Sequence, residues 1–205
     1  MSGPVAVLFD LDGVLIDSYE AWFRLVNRAR DAFGFETVTR ERFDGGWGQG
    51  VTEDVGDYYP GRTFEEVDGY FNSRFMDEIE HVVLFEDSHR TLDGLRERGH
   101  PVAIVTNTRR PLAEEMLAAL GIAERIDVLV AAGDAAKDKP APDLPLLACE
   151  RLSVSPERSV FVGDSSYDRD AAAAAGIPFL GYRMDGDRRV EALAEILDVV
   201  DGMVD

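Results

Sequence analysis

The run Val5-Ala6-Val7-Leu8-Phe9-Asp10-Leu11-Asp12-Gly13-Val14-Leu15-Ile16-Asp17-Ser18 decides the reading of the chain. A short apolar stretch with β-branched residues, close to the start, ends abruptly in carboxylates, the pattern of a buried parallel strand with acids at its C-terminal end. Open α/β sheets bind their ligands at that end. Asp10 and Asp12 are two residues apart, so they share one side of the strand while it lasts, about 6 to 7 Å apart along it. Held so close, they repel. A divalent cation relieves the repulsion, and so does a proton that turns one of them into a general acid. An Asp-x-Asp among 40 acidic residues can also be a solvated surface pair. The apolar strand before it and Gly13, where the chain must turn, favour a site.

Downstream, two patterns follow one another. Ser18 is placed to N-cap a helix through Trp22, Leu25, Val26, Ala29 and Phe33 that stops at Gly34. Residues 39–79 read as further helices, interrupted by Gly45-Gly46-Trp47-Gly48-Gln49-Gly50 and by Tyr58-Tyr59-Pro60-Gly61, with one long helix expected over Thr63 to Ile79. No strand alternates with helix here, which predicts a helical insertion forming a separate small bundle over residues 18–83. From Leu84 strands and helices alternate. Strands are expected at 102–105, 128–131, 160–162 and 179–182, and helices at 88–98, 111–120, 143–152, 168–175 and 190–197. Such alternation predicts an α/β fold, a doubly wound parallel sheet formed by residues 1–17 and 84–205.

Three later stretches carry chemistry. Ala103-Ile104-Val105-Thr106-Asn107 ends a strand in a hydroxyl beside free backbone N–H groups, which suits a phosphate oxygen or simply satisfies the turn. Lys137 and Lys139 are the only lysines among 21 basic residues, and Lys139 stands in a Pro-stiffened loop, Lys139-Pro140-Ala141-Pro142. Lys137 reads as surface, and Arg109 and Arg110 as ordinary solubilising charges. Val160-Phe161-Val162-Gly163-Asp164 again brings a carboxylate to a strand end, with Asp168 following; oxygen ligands of this kind suit Mg²⁺. Asp170 reads as a helix cap or a solvent-facing acid.

Phe9 to Ser18 resembles, without a gap, the opening motif of the haloacid dehalogenase-like (HAD) phosphohydrolases, and the three later stretches stand in that family's order along nearly the whole chain. The resemblance implies a HAD-like Rossmannoid core with an inserted helical cap. It implies Asp10 as nucleophile, Asp12 as general acid and base, Thr106 and Asn107 with Lys139 around phosphate, and Mg²⁺ at Asp10, Asp12 through its backbone carbonyl and Asp164, with Asp168 either binding the metal or orienting its waters and the lysine. Haloalkanoate dehalogenases and phosphonate hydrolases lack an acid in the place of Asp12, so phosphoryl transfer from oxygen is the implied reaction. The insertion resembles the cap of the subgroup containing phosphoglycolate phosphatases, with the Gly45 to Gly50 loop in the place of a specificity loop. Trp47 and Gln49 are therefore candidate substrate contacts. The loop carries no Arg or Lys, which argues against a second anionic group on the substrate unless Arg42 or Arg62 reaches inward. The expected function is Mg-dependent hydrolysis of a small phosphomonoester, phosphoglycolate-like or a sugar phosphate. The alternatives are inorganic pyrophosphatase, a phospho-ligand-binding regulatory protein, and a phosphomutase of the β-phosphoglucomutase kind. The last carries a hinge histidine where this chain has Trp22.

Composition sets the outer limits. At 45% hydrophobic residues, wholesale disorder is excluded. No apolar run reaches the ~20 residues of a membrane span, the N-terminus shows no secretory pattern, and the single cysteine, Cys149, cannot form an internal disulfide. These features point to a cytoplasmic protein; the resemblance implies a small phosphorylated metabolite as its partner, and monomer and homodimer both stay open. A net charge of -19 makes nucleic acid an improbable partner. An acid-rich, lysine-poor surface resembles that of proteins from salt-rich, halophilic cytoplasms.

Overall fold

The computed structural model describes residues 4–203. Six parallel strands form one sheet in the order β5-β4-β1-β6-β7-β8. They are β1 (Ala6–Phe9), β4 (Val102–Arg109), β5 (Val128–Ala132), β6 (Ser159–Gly163), β7 (Phe179–Tyr182) and β8 (Arg188–Val190). A two-stranded antiparallel ribbon, β2 (Ile16–Asp17) and β3 (Val83–Leu84), stands beside it. The α-helices among the described residues are α1 (Tyr19–Phe33), α2 (Arg40–Asp44), α3 (Val51–Tyr58), α4 (Phe64–Arg74), α5 (Ser88–Glu97), α6 (Arg110–Ala119), α7 (Asp143–Leu152), α8 (Ser166–Ala175) and α9 (Glu195–Asp201).

Every residue of β1 is fully buried, because helices cover both faces of the sheet. The period-2 alternation of the strand divides the core. Val7 and Phe9 join one cluster with Leu92 and Leu95 of α5, Leu112 and Met116 of α6, and Ile196 of α9. Leu8 joins the other with Leu144 and Ala148 of α7 and Ala171 and Ala172 of α8. The alanine run of α8 lets that helix lie close on the sheet. The strand order reverses at β1, which lies between β4 and β6, so the C-terminal end of β1 opens at the topological switch point. The fold is thus the doubly wound α/β sheet expected from the alternation.

The chain leaves this sheet through β2 and returns through β3, where Asp17 pairs with Val83 and Ile16 with Leu84. Between them the described elements are helical. Val26, Phe43, Tyr59, Val67, Phe71 and Phe75 are buried here, in the same apolar cluster as Val7 and Phe9.

Three local expectations are corrected. Ser18 stands at the N-cap of α1 but makes no capping bond; its hydroxyl donates to Asp12 instead, while Asp17 Oδ1 accepts from Tyr19 N. The long helix ends earlier than expected. A capping box between Thr63 and Glu66 starts α4, and beyond Arg74 the chain tightens into a 3₁₀ turn, Phe75–His81. That turn buries Glu78 against Arg24 and Arg28 of α1. Lastly, residues 188–190 form an edge strand rather than opening a helix. The carbonyl of Val190 accepts from Arg183 N and the Asp187 carboxylate from Phe179 N, so α9 is delayed to Glu195. Among the described residues, no helix is long and apolar enough to cross a membrane.

Candidate active site

Asp10 follows β1 directly, its N–H bonded to Val162 O of the neighbouring strand at 2.9 Å. Lys139, 2% exposed, extends its ammonium to Val105 O at 3.1 Å and Asp168 Oδ1 at 2.6 Å. The same nitrogen lies 2.8 Å from Asp10 Oδ1 as an ion pair. Burial works against the charge on Lys139, but Asp10 and Asp168 outweigh it and raise its pKa. Asp10 is itself pushed well above the usual carboxylate range, first by burial and then by repulsion from Asp168, with Lys139 pulling the other way. Asp164 is raised to about 7 by burial and by Asp168, against the opposing effects of Trp47 and Lys139.

Local backbone chemistry sets these positions. Gly13 has φ +83°, and a Cβ there would stand 2.0 Å from Asp164 Oδ2, so only glycine lets the two strand ends meet. Asn107 fixes the lysine loop: its Oδ1 accepts from Lys139 N at 2.9 Å and its Nδ2 donates to Lys139 O at 3.0 Å. Asn107 Nδ2 also reaches Gly48 O at 3.0 Å, which ties the Gly45 to Gly50 loop to the sheet. Thr106 is fully buried on the cavity wall, its Oγ1 accepting from Thr108 N.

Asp12 is held by three donors. Ser18 Oγ and Trp22 Nε1 (3.0 Å) reach its Oδ1, and Thr108 Oγ1 reaches its Oδ2 at 2.8 Å. None of the three was singled out in the sequence for this task. The signal existed, since Ser18 and Trp22 are four apart and share a helix face, and Thr108 follows Thr106 by two.

Asp10, Asp164 and Asp168 each place a carboxylate oxygen within 4.8 Å of the others. The Asp12 carboxylate is not in this group; the sequence resemblance implied its backbone carbonyl instead. Asp168 is fully engaged, with Oδ1 on Lys139 and Oδ2 accepting from Ser165 N and Oγ. Asp164 Oδ1, by contrast, is buried without a hydrogen-bond donor, and Asp10 Oδ1 has only the Lys139 ammonium beside it. One unsatisfied carboxylate oxygen, with three clustered acids against one lysine, fits a hard divalent cation.

The loop from the helical segment closes over this centre. Trp47 donates its indole N–H to Asp164 Oδ2 at 2.9 Å, and its ring lies among Tyr19 and Phe43. Gly48 has φ +87°, and a Cβ on it would stand 2.8 Å from Ser165 Oγ. Gln49 turns to Asp54 Oδ1 at 2.6 Å. The cavity is about 70 Å³ and is lined by Asp10 and Lys139 as well as by Asp54, Asp68 and Asn72. Arg109 lines it, contrary to its reading as a surface charge, because β4 continues to Arg109 and carries its guanidinium between the sheet and α4. Arg42 and Arg62 do not line it. Arg42 bonds Asp57 O and faces Tyr58, and Arg62 bonds Phe33 O and Glu66. Asp170 is exposed and pairs with Arg169. The histidines lie elsewhere: His89 on Leu120 O, His100 on Val5, His81 beside Glu78 and Glu80.

A carboxylate-rich centre with one buried lysine, at the switch point of a doubly wound sheet, defines an enzyme of the Rossmann-like α/β class. Over residues 7–182 the sequence matches the haloacid dehalogenase-like hydrolases, and the chain belongs to that family. It is 31% identical over 200 residues to a phosphoglycolate phosphatase of Escherichia coli K12, covering 85% of this chain and 79% of that one. A crystal structure of CbbY from Rhodobacter sphaeroides in complex with phosphate superposes with a TM-score of 0.80 at 25% identity, covering 95% and 96% of the two chains. A putative phosphoglycolate phosphatase from Lactobacillus plantarum shares the fold, with a TM-score of 0.84 at 21% identity over 96% of this chain and all of the other.

Proposed function

We propose that the enzyme is a magnesium-dependent phosphatase that hydrolyses a small phosphomonoester through an aspartyl-phosphate. The observation that carries this reading is the buried Lys139 ammonium between Asp10 and Asp168, beside the buried Asp164 Oδ1 that lacks a donor. The names of the E. coli relative and the phosphate in the CbbY structure agree with it.

A phosphate dianion repels an approaching carboxylate, so Asp10 needs neighbouring positive charge to reach phosphorus. Lys139 supplies part of it at the nucleophile. Magnesium, held by Asp10 and Asp164 with the Asp12 carbonyl, would supply the rest as a Lewis acid. Asp168 keeps Lys139 in place rather than reaching the ion. Asp10 attacks in line, the phosphorus–oxygen bond to the leaving group breaks, and Asp12 protonates the departing alkoxide. Asp12 then takes a proton from water, which attacks the aspartyl-phosphate at phosphorus and releases inorganic phosphate and free Asp10. Thr106 and the backbone beside it bind the transferring group. The helical segment 18–83 acts as a cap that excludes water and reads the leaving group.

Phosphate release from a panel of phosphomonoesters, with and without Mg²⁺ at low and molar KCl, tests this for wild type and Asp10→Asn. Turnover that requires Mg²⁺ and disappears in the variant is expected. A wild type no more active than Asp10→Asn across the panel would refute it.

A further inference from the structure

The relatives' name suggests a substrate whose leaving group bears a carboxylate, but the far end of this cavity is built for something else. Its walls there are Asp54 of α3, Asp68 and Asn72 of α4, and Arg109 of β4. Arg109 is the one cation at this end among the described lining residues, and it is already opposed by Asp68, whose Oδ1 lies 3.7 Å from its Nε. Arg109 is held further by Ala132 O at 3.2 Å and by the ring of Phe64. An incoming carboxylate would therefore meet a countered arginine and two acids. It also brings no proton to share with Asp68. Asp68 Oδ1 is buried and accepts no hydrogen bond, a costly state that a donor from the ligand would relieve. Between the polar groups stand Phe43, Val51, Phe71 and Leu112, which suit the C–H faces of a carbon chain.

Resting on the phosphatase reading, we infer that the leaving group is a short neutral polyol, so that the substrate is a small polyol or sugar phosphate whose hydroxyls donate to Asp68 and Asp54. Arg109 and Asn72 answer the hydroxyl oxygens as donors.

The test compares kcat/KM for sn-glycerol 3-phosphate, D-erythrose 4-phosphate, 2-phosphoglycolate and phosphoethanolamine, in wild type and Asp68→Asn. Wild type should favour the two polyol phosphates by about tenfold or more, the discrimination expected when a site's acceptors are left unpaired by the wrong ligand. Asp68→Asn releases Arg109 from its counter-charge, and the ratio of phosphoglycolate to polyol phosphate activity should rise by about tenfold. A wild type that prefers phosphoglycolate or phosphoethanolamine overturns the inference while leaving the phosphatase reading intact. If no ester is hydrolysed, the phosphatase reading falls. Calorimetric titration of Asp10→Asn with the same four esters then still decides the leaving group: tighter binding of the polyol phosphates supports it, and equal or weaker binding overturns it.

Discussion

The indole N–H of Trp47 donates to Asp164 Oδ2 at 2.9 Å, joining residues 117 apart in sequence and closing the helical segment onto the sheet. Asp164 also offers the buried Oδ1 proposed to face a cation, so on that proposal Trp47 would orient a metal ligand from outside the coordination sphere. Replacing Trp47 by Phe keeps an aromatic ring beside Tyr19 and Phe43 and deletes the donor. Calorimetry should find Mg²⁺ bound about tenfold more weakly, with the melting temperature nearly unchanged. Equal affinity in the two proteins would make Trp47 a packing residue only.

Asp12 takes hydrogen bonds from three side chains on two elements, and each should matter to the reaction more than to the fold. Thr108→Val removes the donor to Oδ2 and keeps the shape. A loss of roughly 10- to 100-fold in kcat, with KM little altered, is expected for a group that positions an acid and base. The same split should follow Ser18→Ala. If KM rises and kcat holds, these residues serve ground-state binding instead.

Burial pushes Asp54 up to about 7, with Gln49 drawing it back and Glu53 and Asp57 raising it further. Unfolded, the same carboxyl titrates near 4. Between these values the folded chain holds a proton that the unfolded chain has lost, so stability contributed below about pH 4 is lost as pH rises through about 7. Asp54→Asn cannot lose that proton. It should be more stable than wild type at pH 8 by about 1–2 kcal/mol, discounted from full linkage for partial solvent access, and the gap should close toward pH 4. Thermal melts across that range decide; a gap independent of pH would count against a titrating Asp54.

The surface poses a separate question. Forty acids against 21 bases leave a net charge of -19, and such self-repulsion weakens as the Debye length shrinks from about 8 Å at physiological salt to about 3 Å at 1 M. The melting temperature should climb steadily from low to molar KCl. A flat curve would retire the high-salt interpretation of the composition.

What could be read from the sequence was the part written locally. The apolar strand running into Asp10-Leu11-Asp12-Gly13 and the strand ending at Asp164 place their acids by strand direction alone, and the alternation after Leu84 gave the doubly wound sheet. Lys139 stood out because lysine is otherwise nearly absent. Contacts across the fold were not legible. Ser18 carried a valid N-cap signature, yet Asp12 outcompeted the helix end for its hydroxyl. Arg109 looked like any of the chain's arginines, because nothing nearby in sequence indicates that α4 packs over the end of β4. Val190 carried helical spacing, but the sheet edge claimed its backbone first.

Only two tryptophans occur in the chain, and both spend their indole N–H on carboxylates of the same centre, Trp22 on Asp12 and Trp47 on Asp164. The intrinsic fluorescence of this protein is therefore a local optical probe, silent about the distant surface and sensitive to charge at two chemically distinct acids. With Trp22→Phe or Trp47→Phe the two signals separate, one channel following the acid proposed to handle the leaving group and the other the acid proposed to face the metal. Ligand arrival and loop closure can thus be timed in stopped flow without attaching any dye.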